Sequence, residues 1–248
     1  MPPSRIPEEN VPTSAPLAGR TAIVTGASRG IGRAIALRLA QLGARLLLVA
    51  RDQAVLTTVK HEIAGLAARA DVLSCDLASA SEIAALAPRI EAAGGCDILV
   101  NAAGIGRIGA ALHQMPIEDF DAVLATNLRA PFLLMRIVVP HMIERGSGEI
   151  VNISSLAGQG PLANGAAYAA SKWALNGLTY SAAEELRTHN IRVSVVAPGS
   201  VNTSFGRSGK DPAKMLQPED VANVVAMMVM QPPQSFISEV RMRPTQKP

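Results

Sequence analysis

The sequence is poor in aromatic and charged residues. Phe, Tyr and Trp make up 3% of its 248 residues, so a platform of stacked rings for nucleic-acid bases is not expected. Charged residues make up 17%, and the formal net charge of +3 is scattered along the chain without Lys/Arg runs. The sequence therefore predicts neither a nucleic-acid surface nor a membrane surface.

Cysteine and long apolar runs are also scarce. Cys75 and Cys96 form no CxxC pair, and two cysteines are too few for a disulfide framework, so reduced thiols are expected. The N-terminus lacks the basic-then-apolar pattern of a signal peptide. The longest apolar run that we identify, Val221–Met230, is shorter than the about 20 residues of a membrane span. These features predict a cytoplasmic protein.

What the sequence does contain is a large apolar fraction, 48%, enough for a sizeable core. Residues 1–18 hold five prolines and few apolar residues, which is typical of a flexible extension. No internal linker or repeat interrupts the remainder of the chain. We therefore expect one domain over residues 19–248.

Short, almost wholly apolar runs alternate with longer Ala- and Leu-rich segments. Apolar runs of this kind indicate strands that are buried on both faces, as in a parallel sheet. Their alternation with helices predicts an α/β fold, a doubly wound, Rossmann-like parallel sheet. The predicted strands are 21–25, 45–50, 71–75, 97–101, 149–153, 192–197 and 236–242, and the predicted helices are 30–42, 53–68, 79–93, 120–145, 166–188 and 218–230.

Three glycines follow the first predicted strand. Gly26, Gly30 and Gly32 are spaced G-x3-G-x-G and lead directly into the first helix. Glycine permits positive φ and close backbone approach, and a helix N-terminus attracts phosphate. In this position the spacing predicts a loop that binds the pyrophosphate of a dinucleotide.

The end of the second strand bears on which dinucleotide binds. An NAD site places a carboxylate there for the ribose 2′-hydroxyl, whereas an NADP site places a basic residue. Ala50 occupies the expected carboxylate position, Arg51 follows it, and Arg29 lies in the glycine loop. Two guanidiniums would suit a 2′-phosphate, so NADP(H) is predicted in preference to NAD(H). Two alternatives stay open: a shifted strand end would bring Asp52 to the ribose, and Arg51 could be a solvated loop residue.

Tyr168 and Lys172 lie one turn apart on a predicted helix and so share a face. A neighbouring ammonium favours the phenolate, and a pKa lowered by about 3 units would make Tyr168 a useful general acid. Ser154 and Ser155 end the fifth strand at the same edge of the sheet. Asn127, a mediocre helix former, is a candidate holder of a water that links Lys172 to solvent, or simply a solvated Asn.

These motifs together resemble the short-chain dehydrogenases/reductases, in the subgroup that includes β-ketoacyl carrier-protein reductases. The resemblance covers about residues 18–230 and rests on TGASRGIG, NAAG and the segment beginning Pro198-Gly199, in that order. It implies the catalytic residues Asn127, Ser155, Tyr168 and Lys172, with Ser155 selected by its distance of thirteen residues from the tyrosine. The cofactor contacts predicted are Gly26, Ser28, Arg29, Gly30, Ile31, Gly32, Arg51, Asp76, Leu77, Asn101, Ala102, Gly104, Tyr168, Lys172, Pro198, Gly199, Val201 and Thr203.

The resemblance also implies an activity. Hydride would pass between the nicotinamide of NADP(H) and a small-molecule carbonyl or alcohol, as in a 3-oxoacyl-thioester reductase, without a metal. Tyr168 would protonate the oxygen, Ser155 would orient it, Lys172 would bind the nicotinamide ribose and Asn127 would hold a relay water. A homodimer or homotetramer is implied as well. The alternative is a non-catalytic NADP-binding sensor or scaffold, which would have no need of the four catalytic residues together.

Two segments depart from the family pattern. The C-terminus lacks the DGG-type tail of many members, which puts the oligomer contacts and the pocket edge in doubt. The segment between Thr203 and Pro218, the family's substrate lid, is short and polar and predicts an open site. Arg107 and His113 follow NAAG, and each is either a contact for an acidic or thioester substrate or an ordinary surface residue.

Overall fold

In the part of the chain that the structure describes, seven parallel strands form one central sheet. The computed structural model describes residues 15–205 and 209–248. The strands are β1 (Thr21–Thr25), β2 (Arg45–Ala50), β3 (Ala70–Ser74), β4 (Ile98–Asn101), β5 (Gly148–Ile153), β6 (Ile191–Pro198) and β7 (Glu239–Met242). Their order is β3-β2-β1-β4-β5-β6-β7, and each neighbouring pair is parallel. The predicted fold class is confirmed.

Helices cover both faces of this sheet. They are α1 (Gly30–Gln41), α2 (Gln53–Ala64), α3 (Ala80–Ala84), α4 (Ala87–Ala92), α5 (Ile117–Leu124), α6 (Ala130–Arg145), α7 (Ala166–Leu186) and α8 (Pro218–Val229). Successive strand residues point to opposite faces. Val24 thus joins the core beneath α1, α2 and α8, whereas Ile23 joins the core beneath α3, α4 and α6. Near-continuous apolar strands follow from this two-sided burial.

The strand order reverses between β1 and β4. The chain first winds outward to β3 and then returns to pair β4 with β1, with Ala22 opposite Ile98. At such a switch point the two following loops diverge and leave a crevice outside the carboxyl ends of the strands, where ligands of doubly wound sheets bind. The predicted glycine loop and the Asn101–Gly104 segment leave the sheet at this crevice.

The helix predicted over 79–93 is two helices, α3 and α4. Ser79 caps α3 by accepting a hydrogen bond from the Glu82 amide at 3.3 Å. Pro88 lies in the first turn of α4. Proline carries no N–H and clashes with the preceding helical turn, but it fits the first turn of a new helix. The single helix was therefore a wrong prediction. The last strand is also shorter than the predicted 236–242.

The helix predicted over 120–145 begins earlier and changes its winding. It starts at Ile117 with α5, passes through a π turn at Ala125–Arg129 and continues as α6. This run of 29 residues has a mean hydropathy of 1.5 in its most apolar window and is, by length and composition, long enough to cross a membrane. It is therefore a longer apolar stretch than Val221–Met230. Within the domain it serves as a core helix, since α6 packs on β4 and β5 and α5 packs on α7.

Most of the predicted N-terminal extension, residues 1–14, lies outside the described residues. Leu17 is buried in the core, and its amide donates to the carbonyl oxygen of Leu42 at 2.8 Å. Packing therefore begins two residues before the expected boundary at Gly19. Cys75 and Cys96 are free and buried, and burial raises their pKa values to about 11 and about 12.

Candidate active site

The loop between β1 and α1 has a shape that only glycine permits. Gly26 and Gly30 have φ values of +66° and +55°, in the left-handed region that other residues avoid. A Cβ on Gly32 would lie 2.3 Å from the Gly26 carbonyl oxygen, and one on Gly26 would lie 2.9 Å from the Ala103 Cα. At its glycines the loop thus presents only backbone at the N-terminus of α1. This cradle fits the pyrophosphate of a dinucleotide.

The loop after β4 is fastened to the end of β1. The Thr25 hydroxyl accepts hydrogen bonds from the amides of Ala102 and Ala103 at 3.0 and 3.1 Å. Asn101 turns inward, and its amide nitrogen donates to Asn152 Oδ1 at 2.8 Å. Its own buried Oδ1 has no hydrogen-bond partner among the described residues. These contacts hold the two walls of the crevice at a fixed separation. The Asn101 side chain therefore has a structural role in joining β4 to β5, and its contact with a cofactor stays a prediction.

At the end of β2 an arginine is exposed, whereas the nearby carboxylate is engaged in a helix cap. Ala50 is buried, whereas Arg29 and Arg51 are exposed. Asp52 is the N-cap of α2, and its carboxylate accepts a hydrogen bond from the Val55 amide at 3.1 Å. The alternative that Asp52 reaches a ribose would require it to leave this cap. The geometry favours the two arginines as the groups that face a ligand.

The other predicted cofactor residues surround the same crevice. Asp76 is half-buried and accepts a hydrogen bond from the Ala78 amide at 3.0 Å, while Leu77 is buried. Ser28 and Ile31 are half-buried within the glycine loop and the start of α1. Gly104 lies close to the catalytic candidates, since a Cβ there would be 3.7 Å from Lys172 Nζ.

Three of the predicted catalytic residues meet at the carboxyl end of β5. Tyr168 and Lys172 lie on the buried face of α7, with 8% and 4% of their surfaces exposed. The Lys172 ammonium donates to the Ile153 carbonyl oxygen at 2.8 Å and lies 5.8 Å from the centre of the Tyr168 ring. Ser155 forms a hydrogen bond with Tyr168. Ser154 is buried and its hydroxyl instead donates to the Lys172 carbonyl oxygen at 3.4 Å, so Ser155 is the serine that faces the tyrosine.

The pKa of Tyr168 differs from the expectation. Burial raises the pKa of its phenol, and the hydrogen bond with Ser155 offsets only part of that effect. Burial also lowers the pKa of Lys172 to about 8. Burial of both groups in the same pocket therefore opposes the lowering of the Tyr168 pKa that we expect from Lys172 and an oxidised nicotinamide ring, and that lowering stays a prediction.

Asn127 lies in the π turn, and its side chain is already engaged. Its Oδ1 accepts from the Ile105 amide at 2.9 Å, and its Nδ2 donates to the Ile105 carbonyl oxygen at 2.9 Å and to Ser171 Oγ at 3.0 Å. Both amide hydrogens are thus used within the protein. The side chain fastens the loop after β4 to α7 and has little capacity left for a water, so the relay water stays a prediction.

The segment after β6 closes the crevice from the opposite side. The Gly199 amide donates to the Met242 carbonyl oxygen at 2.9 Å, and Val201 forms a parallel bridge with Leu216. Thr203 faces the glycine loop, because a Cβ on Gly30 would lie 3.1 Å from Thr203 Cγ2. The segment that begins at Pro198 therefore lies across the cradle. The C-terminal strand supports it, although the DGG-type tail is absent.

Sequence reasoning overlooked Phe205. Its ring centre lies 5.6 Å from that of Tyr168, within the segment that we describe above as polar and open. The sequence offered one indication of its importance: Phe205 is one of only four phenylalanines, so an aromatic residue in this segment is unusual. Of the two substrate candidates after NAAG, Arg107 pairs with Asp119 at 3.1 Å, and His113 lies on an exposed 3₁₀ turn, Leu112–Gln114.

Comparison with known proteins agrees with this geometry. A family model described as short chain dehydrogenase matches residues 20–214. Dehydrogenase/reductase SDR family member 4 of Bos taurus is 37% identical over 231 residues, which cover 86% of this chain and 81% of the relative. The crystal structure of a metagenomic short-chain oxidoreductase in complex with NADP is 52% identical, with a TM-score of 0.84 and coverage of 94% of this chain and all (100%) of that chain.

A more distant structure shares the same architecture. The alcohol dehydrogenase of the archaeon Thermococcus sibiricus, complexed with 5-hydroxy-NADP, is 28% identical, with a TM-score of 0.85 and coverage of 92% and 98%. The chain belongs to the short-chain dehydrogenase/reductase family, and it is an oxidoreductase of that family. The finer likeness to β-ketoacyl carrier-protein reductases stays a prediction.

Proposed function

We propose that the protein is an NADP(H)-dependent oxidoreductase that transfers hydride between the nicotinamide and a carbonyl or hydroxyl carbon. The observation that carries this proposal is the meeting of Tyr168, Ser155 and Lys172 beside the glycine cradle. A phenol within reach of a hydroxyl and an ammonium, in a crevice that accepts a dinucleotide, is the equipment for protonating a carbonyl oxygen. The alternative, a non-catalytic sensor or scaffold, does not explain why these three side chains lie together.

Each side chain then has a distinct part in the reaction. The bound NADPH supplies the hydride. Tyr168, whose pKa is raised by burial, would donate its phenol proton to the carbonyl oxygen. Ser155 orients that oxygen through its hydroxyl. Lys172 would bind the nicotinamide ribose, and its ammonium would return a proton to the Tyr168 phenolate, while Asn127 maintains the separation between the loop after β4 and α7.

The preference for NADP(H) rests on the two exposed arginines. Arg29 and Arg51 offer guanidiniums to the ribose 2′-phosphate, and guanidiniums bind phosphate through charge-assisted, often bidentate hydrogen bonds. The Asp52 carboxylate, which could otherwise bind the ribose 2′-hydroxyl of NAD(H), caps α2 instead. Two similar structures are complexes with NADP and with 5-hydroxy-NADP, which supports the same assignment for this chain.

The substrate is a small carbonyl or alcohol, and a 3-oxoacyl thioester is one candidate. We also propose a cytoplasmic homodimer or homotetramer. A groove of about 710 Å³ runs along α5, α6 and α7, with lining residues Asp121, Ala122, Leu124, Ala125, Leu128, Arg129, Phe132 and Leu178. A mostly apolar groove of this kind fits a second copy of the chain. Light scattering that shows a monomer at micromolar concentration would exclude such an oligomer.

The decisive experiment compares Tyr168→Phe with the wild-type protein on a panel of carbonyl substrates. We expect turnover to fall by about 10²–10⁴-fold, the usual contribution of a general acid, while the affinity for NADPH is retained. Tyr180→Phe is the matched control, because Tyr180 is exposed and donates to Glu239 at 2.8 Å. Full turnover in Tyr168→Phe would overturn the mechanism. NADPH binding without turnover of any substrate by the wild-type protein would instead favour the sensor.

A further inference from the structure

Phe205 lies against the candidate catalytic tyrosine. The two ring centres are 5.6 Å apart and the ring planes are inclined by 48°, a tilted contact of the kind that aromatic rings favour. Half of Phe205 (50%) remains exposed, while only 8% of Tyr168 does. The exposed part of Phe205 is therefore apolar surface beside the ring of the candidate proton donor.

Gly106 provides the place on which this ring rests. A Cβ on Gly106 would lie 2.9 Å from Phe205 Cζ and 3.4 Å from Ile108 Cδ1. Real Cβ atoms do not approach this closely, so an alanine at Gly106 would have to move the ring. The bare backbone of the loop after β4 thus determines how close Phe205 comes to Tyr168.

The neighbouring residues continue the apolar surface. Ile108 is exposed, and a Cβ on Gly165 would contact Leu162 Cδ2 at 2.5 Å and Ile108 Cγ1 at 3.6 Å. Arg107, the charged residue between Gly106 and Ile108, is held by Asp119 at 3.1 Å. An anionic substrate group at this place would compete with that ion pair, whereas an uncharged apolar group would bury the exposed faces of Phe205 and Ile108.

We propose that Phe205, resting on Gly106, is a specificity-determining residue that selects uncharged ketones with an aryl or long alkyl group beside the carbonyl. This inference rests on the proposed function and adds the substrate class to it. With the carbonyl oxygen between Tyr168 and Ser155, the substituent on the side of Phe205 lies against the ring. Removing the ring removes that contact but leaves the proton donor and the glycine cradle in place.

The test measures kcat/KM for acetophenone and for butan-2-one with NADPH. In Phe205→Ala we expect the ratio of the two values to fall about tenfold, the effect of losing one well-packed aromatic contact, while the affinity for NADPH and the value for butan-2-one change little. Phe236→Ala is the control, since Phe236 is also partly exposed (37%) and lies outside the site. Gly106→Ala should lower the ratio in the wild-type background and have no further effect in Phe205→Ala.

The outcomes separate this inference from the proposed function. An unchanged ratio in Phe205→Ala, whether both kcat/KM values are retained or both fall by the same factor, overturns the role of Phe205. Either result leaves the proposed oxidoreductase activity intact. A wild-type protein that reduces charged carbonyls but neither ketone also overturns it. Failure of the proposed function has a different signature, namely that Tyr168→Phe keeps full turnover on whichever substrate the wild-type protein reduces.

Discussion

The Nζ of Lys172 lies 5.8 Å from the centre of the Tyr168 ring, inside a pocket that lowers the pKa of the lysine to about 8. The unfolded chain, with a lysine pKa of about 10.4, binds more protons than the folded chain between these two values. Stability should therefore rise with pH across this window and carry a constant penalty below it.

This pH dependence can be measured by urea unfolding of the wild-type protein and of Lys172→Met. The free energy of unfolding of the wild-type protein, relative to the variant, should increase by about 3 kcal/mol from pH 7 to pH 10.5. Taking the difference between the two proteins removes the titration of the groups that do not interact with Lys172. A difference that is flat over this range would show that Lys172 keeps an ordinary pKa.

The second prediction concerns the glycine cradle. Gly32→Ala should weaken NADPH binding by about 10-fold to 100-fold, because the new Cβ would lie 2.3 Å from the Gly26 carbonyl oxygen and must displace the loop. The matched control is Gly160→Ala, since no described atom lies within 4 Å of a Cβ there. A fluorescence titration with NADPH gives both affinities, and circular dichroism verifies folding. Equal affinities would mean that the loop does not hold the pyrophosphate.

The third prediction separates the arginines from Asp52. Arg51→Ala should weaken NADPH binding by about tenfold or more, the value of one charge-assisted hydrogen bond, and leave NADH binding nearly unchanged. Asp52→Ala should reduce stability by about 1 kcal/mol through loss of the α2 cap without changing the preference between the cofactors. Titrations at equal ionic strength measure both effects. A change of preference in Asp52→Ala would restore the ribose alternative.

The fourth prediction concerns Asn127. Its side chain makes three hydrogen bonds to Ile105 and Ser171, and two of them hold the backbone of the loop after β4. Asn127→Ala should therefore cost about 2–4 kcal/mol of stability and speed hydrogen exchange at the Ile105 amide. If Asn127 acts solely by holding a water, turnover would fall while exchange at Ile105 stays slow.

The strands and the crevice could be predicted from the sequence, because apolar strands and a glycine loop are local patterns. The sequence was insufficient where tertiary packing decides. The break before Pro88 was visible in principle, but the π turn at Asn127 depends on hydrogen bonds to residues 22 and 44 positions away. The raised pKa of Tyr168 depends on burial, and the contact of Phe205 with Gly106 depends on how the segment after β6 lies across the site.

The hydrogen bond from the Ala102 amide to the Thr25 hydroxyl has a consequence for how the protein folds. These residues are 77 positions apart, and parallel strands cannot be joined by a short hairpin. Closing a loop of this length is slow compared with forming a local contact. We therefore expect the crevice to be completed late in refolding, so that binding of NADPH would be acquired after most of the helical content has already returned.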